Sequence, residues 1–180
     1  MAVCNACKFE NTSGTKFCIQ CGLALTADAK SGDELTPNPN PEVMQAETEA
    51  LLKRVAHESG FDHKETSAGH RITVSLGGDR KQRVHVTFNG HDDDGHDIIS
   101  FLSICGEFDA KHVESLMRAN AKLLYGAFAV RTIKGKDYFV MTSNQLAETA
   151  DLQEIRKILF EVARRADGVE ERISGGKDVF

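Results

Sequence analysis

The chain has 180 residues, 41% hydrophobic and 27% charged, which is ordinary for a folded protein and enough for one domain plus a small appendage. A net charge of -5 excludes general attraction to phosphate backbones, and no run approaches the roughly 20 apolar residues of a membrane-spanning helix. The opening MAVCNACKFE lacks the basic start and apolar stretch of a signal peptide, so the expected compartment is the cytoplasm.

Four of the five cysteines stand in two C-x-x-C pairs, Cys4 with Cys7 and Cys18 with Cys21, ten residues apart. A reducing compartment disfavours disulfides, leaving thiols that need another role. Each pair suits a tight knuckle holding two sulfurs about 2.3 Å from one ion, and two knuckles complete a tetrahedron. Zinc is the expected metal. Iron fits the same four-sulfur cage, whereas a redox C-x-x-C would need a βαβ context that is missing here. The segment offers few large apolar side chains (Val3, Phe9, Phe17, Ile19, Leu23, Leu25), so its folding needs the ion. With four protein ligands the site has no open position, and its role is structural.

Residues 1–25 resemble the short zinc-ribbon family found at the ends of bacterial and archaeal proteins. The resemblance is carried by both cysteine pairs, Glu10-Asn11, Gly14, Lys16-Phe17 and Gly22, with a departure at the non-ligand Lys8.

Residues 26–41 read as a linker. All three prolines, Pro37, Pro39 and Pro41, fall in TPNPNPE, and the stretch before them is small, polar and acidic. A second domain is expected over 42–180, opened by a helix to about Ser59 with Asn40 as cap and Pro41 at its first position. Met44, Leu51, Leu52 and Val55 make its core stripe, and Gly60 ends it.

Three strands are predicted next, at 71–76, 83–88 and 97–105, with turns at Gly77-Gly78-Asp79 and Asn89-Gly90. A helix after Asp109 presents Val113, Leu116, Met117 and Leu124 at helical spacing. Asn120 lies on that stripe, an unusual residue for a core face, and hydrogen bonding to backbone is its expected role. A hairpin around Lys134-Gly135-Lys136 follows. A last helix then starts at Asp151, with Glu154 completing a pattern close to a capping box and Leu152, Ile155, Ile158, Leu159 and Val162 on its apolar face. The order α-β-β-β-α-β-β-α with hairpin connections predicts an α+β domain on an antiparallel sheet.

That order resembles the type III secretion chaperone-like superfamily, in particular its YbjN-type branch, over roughly residues 42–172. The carrying residues are Leu116-Met-Arg-Ala-Asn120, Gly126-Ala-Phe128-Ala-Val, and the hairpin leading to the last helix. The resemblance implies a homodimer that binds partner polypeptides without catalysis.

Other candidate chemistry is thin. His91, Asp92, Asp93, Asp94, His96 and Asp97 could hold a divalent cation, but Asp-Gly and Asn-Gly suit a solvated hairpin loop, and calcium-loop spacing is absent. His57, His63, His70, His85 and His112 read as scattered surface histidines, Cys105 as a buried strand thiol, and Arg80-Lys81-Gln82-Arg83 as a charged hairpin tip. The expected function is a non-enzymatic, chaperone-like or adaptor module that binds another polypeptide. The alternatives are a nucleic-acid-associated ribbon protein, with only Lys8 and Lys16 against Glu10 in its ribbon, and a metal-dependent hydrolase using loop 91–97.

Overall fold

In the computed structural model the described residues are 2–3, 10–12, 41–176 and 179. Cys4, Cys7, Cys18, Cys21, linker residues 26–40 and the Met44 side chain lie outside them. The chain divides into two compact units, Met1–Thr36 and Pro37–Phe180. In the first, β1 (Ala2–Val3) pairs antiparallel with β2 (Glu10–Asn11), and Asn11 is buried.

The second unit opens with α1 (Pro41–Ser59). Proline suits its first turn because an N–H there would have no partner within the helix. The helix stops where Gly60 takes φ +67° and Phe61 N–H donates back to the Ala56 carbonyl at 2.9 Å. Strands β3 (Asp62–Thr66), β4 (Gly69–Gly77), β5 (Arg80–His91) and β6 (Asp97–Glu107) form a meander. Helix α2 (Val113–Asn120) leads to β7 (Ala127–Ile133) and β8 (Lys136–Leu146), and α3 (Leu152–Ser174) closes the unit. The sheet runs β3-β4-β5-β6-β8-β7, with every neighbouring pair antiparallel.

The unit is therefore the expected α+β type with three helices, but it holds a strand more than the predicted order. DHKET shows no apolar alternation because β3 is a sheet edge whose side chains are largely exposed. The meander also turns later than Asn89-Gly90 suggests. β5 absorbs that dipeptide through a register shift between Thr87 and Gly90 and continues to His91. Nor is Arg80-Lys81-Gln82-Arg83 a hairpin tip. It is the start of β5, with Gln82 fully buried and Arg80 donating to Asp167 of α3 at 2.8 Å.

One face of the sheet carries the core. Ile72, Val74, Val84, Val86, Phe101 and Met141 meet Leu52 and Val55 of α1, Leu116 of α2, and Ile155, Ile158, Leu159 and Val162 of α3. Helix α1 packs beside β3, α3 crosses the central strands, and α2 packs by β7, so the helices cover that face from edge to edge. The Asp151 carboxylate caps α3 by accepting from the Glu154 N–H at 2.8 Å, as the capping pattern anticipates. Helix α2 is shorter than its apolar spacing predicts. The chain turns at Ala121–Lys122 and leaves Leu124 90% exposed, while Met117, within the helix, is 48% exposed.

Candidate functional site

Alternation along each strand sends every second side chain to the opposite side of the sheet from the helices. Register aligns His85 with Leu102 and Leu102 with Thr142, and it aligns Thr87 with Ser100 and Ser100 with Asn144. It also sets Ile104 beside Val140 and Val140 beside Ala129. Val140 is 1% exposed although it stands apart from the helix-side core. Leu102, Val140 and Ala129 thus floor an open concavity of about 510 Å³, walled by His85, Thr142 and Arg131.

Charge frames the apolar floor. The same parity places Lys64 and Arg71 on β3 and β4, Lys81 and Arg83 on β5, and Arg131 and Lys136 on β7 and β8. Among the described residues, the strand carboxylates of this face are Asp62, at the start of β3, and Glu107, which Lys136 approaches at 3.5 Å. A chain of net charge -5 therefore concentrates cations on one side of its sheet. His85 registers the field. Burial, then the neighbouring Arg71 and Arg83 guanidiniums, hold its pKa below the usual imidazole value.

Asn120 does what its place on the stripe suggests. Its side-chain nitrogen donates to the Phe128 carbonyl at 3.0 Å, and its oxygen accepts the Phe128 N–H at 2.7 Å. Gly126 makes this approach possible. Its φ is +74°, and a Cβ there would lie 2.1 Å from the Thr142 carbonyl oxygen.

The acidic loop brings ligand atoms of Asp92, Asp94 and His96 within 4.8 Å of one another. Loop closure engages Asp92 from several sides. One of its oxygens accepts the His96 N–H at 2.8 Å and the Asp94 N–H at 3.0 Å, while the other faces His96 Nδ1 at 3.1 Å. Donation from the His96 backbone is the main reason its pKa lies below the usual carboxylate value. This is the hydrogen-bonding pattern of an Asx turn, the solvated-loop alternative weighed from the sequence.

The histidines do not form one surface set. His63 Nε2 and His70 Nδ1 face each other at 2.9 Å between β3 and β4, and His70 is buried beside Phe88. The pair was hidden in the sequence because β3 itself gave no strand signal. Cys105 is a buried strand thiol as expected, with its pKa pushed far up by burial.

No protein-family model matches this chain, and no curated protein matches it. Among solved structures it is similar to the Yersinia pestis type III secretion chaperone SycH, crystallised in complex with a stable fragment of YscM2. Identity is 16% over 68% of this chain and 98% of SycH, at a TM-score of 0.45. It is also similar to YbjN from E. coli, at 10% identity over 69% of this chain and 89% of YbjN, at a TM-score of 0.44. Likeness at this level leaves function to rest on the chain's own surfaces.

Proposed function

We propose that this chain is a non-enzymatic, protein-binding module, chaperone-like or adaptor in kind, with a zinc ribbon at residues 1–25 and a linker at 26–41 ahead of the binding domain. The observation that carries the reading is the second face of the sheet, where apolar Leu102 and Ala129 are only partly buried and stay outside the helix-side core. Burying such a floor against another polypeptide removes apolar surface from water at roughly 25 cal/mol per Å². A homodimer is one form that this burial takes.

Affinity capture and gel filtration with light scattering test the reading. The intact protein is expected to form a dimer and to retain a specific polypeptide, and Leu102→Glu is expected to lose one or both while keeping its fold. A strict monomer that retains no polypeptide overturns it.

In the same proposal Cys4, Cys7, Cys18 and Cys21 hold one structural Zn2+ as thiolates. Elemental analysis is expected to find one zinc per chain, and none after serine replaces all four. A metal-free preparation whose first 25 residues are ordered by NMR would overturn this part.

A further inference from the structure

From the open sheet face we infer that the partner is an acidic polypeptide segment bearing apolar anchors. The anchors lie on Leu102 and Ala129, and the carboxylates reach Arg71 and Arg83 on one side and Arg131 on the other. This rests on the protein-binding reading above and adds the chemistry of the partner.

Three observations support it. The concavity exposes aliphatic Leu102 and Ala129 beside the polar Thr87, Ser100 and Asn144, so it rewards buried aliphatic side chains as well as charge. The frame is cationic in a chain that is acidic overall, so its complement is an anionic partner. Register pairs Arg71 with His85, and Arg83 stands two residues before His85 on the same side of β5, so both arginines flank one point beside the floor. Guanidinium groups also match carboxylates in geometry, since their paired N–H donors can hold both oxygens. A single-stranded nucleic acid shares the negative charge, but it asks for aromatic platforms on which bases stack. Among the described residues the strand rings of this face are His85 and Tyr138, and the side chains between the cations are aliphatic or small and polar.

Fluorescence anisotropy with four labelled probes tests the assignment on the full-length protein. The probes are a peptide combining Asp and Glu with Leu and Val, the same peptide with Lys for each acid, an all-Glu peptide, and a mixed-sequence single-stranded oligonucleotide. The first is expected to bind, and its affinity is expected to fall about tenfold between low salt and physiological salt. Arg71→Glu with Arg83→Glu, and separately Arg131→Glu, are each expected to weaken it at least about fivefold. Arg71→Lys with Arg83→Lys should retain most of the binding, which separates lost charge from lost fold. Thermal melts of all variants check that the domain stays intact.

Preference for the Lys peptide overturns the assignment, and so does equal binding of the all-Glu peptide, which would mean that the floor is unused. Tighter binding of the oligonucleotide overturns it in favour of a nucleic-acid surface. If no probe binds a protein that still dimerises or retains a polypeptide, this inference alone fails. A strict monomer that retains nothing removes the protein-binding reading as well.

Discussion

Asn120 and Gly126 work as a unit around the start of β7. The amide makes two hydrogen bonds to the backbone of Phe128, and the glycine lets the chain pass against Thr142. Asn120→Ala leaves a donor and an acceptor without their partner, and a loss of about 1–3 kcal/mol is expected in urea unfolding. Gly126→Ala combines a strained φ with a backbone clash, so a loss above about 2 kcal/mol is expected by the same measurement. Cys105 supplies a chemical check. Burial holds its thiol protonated, so with serine at Cys4, Cys7, Cys18 and Cys21 the folded protein should not react with a thiol reagent at pH 8, and should react once unfolded. Asn120 was legible from sequence as a polar residue on an apolar stripe. The Phe128 contact was not, because it depends on how α2 meets β7.

Among the elements, the helices were the most readable and the sheet edge the least. Helix α3 announces itself through Asp151, Glu154 and a periodic apolar face, and Asp151→Ala is expected to cost about 1 kcal/mol in urea unfolding. β4 and β5 are legible because one face is buried and the other is not, which writes alternation into Ile72, Val74, Val84 and Val86. β3 has no such contrast and escapes detection. The bulge at Thr87–Gly90 lets a turn-forming dipeptide continue a strand, which local composition cannot reveal. The open face was illegible for a related reason. Leu102, Val140 and Ala129 are adjacent only through the pairing of β6, β8 and β7, far apart along the chain.

The pH response belongs to the whole molecule. His63 and His85 both have pKa values held below the ordinary 6.5, His63 by burial and then by His70, His85 by burial and then by the flanking arginines. The charged groups around the His63–His70 pair are Glu49, Lys53 and Glu65. As pH falls through about 6.5 the unfolded chain takes up protons that the folded chain still refuses, so stability holds above that value and drops below it. Urea midpoints at pH 8.0, 6.5 and 5.0 are expected to show the drop, and His63→Gln and His85→Gln are each expected to flatten it.

Both borders of the six-stranded sheet meet solvent, and each is guarded in its own way. Along β3 the guard is electrostatic, since Asp62, Lys64 and Glu65 put alternating charge where another molecule's strand would dock. On β7 the Asn120 amide already occupies the Phe128 main-chain groups that such a strand would seek. A strand arriving at either border therefore meets fixed charge or main-chain groups that are already bonded, which disfavours border-to-border stacking.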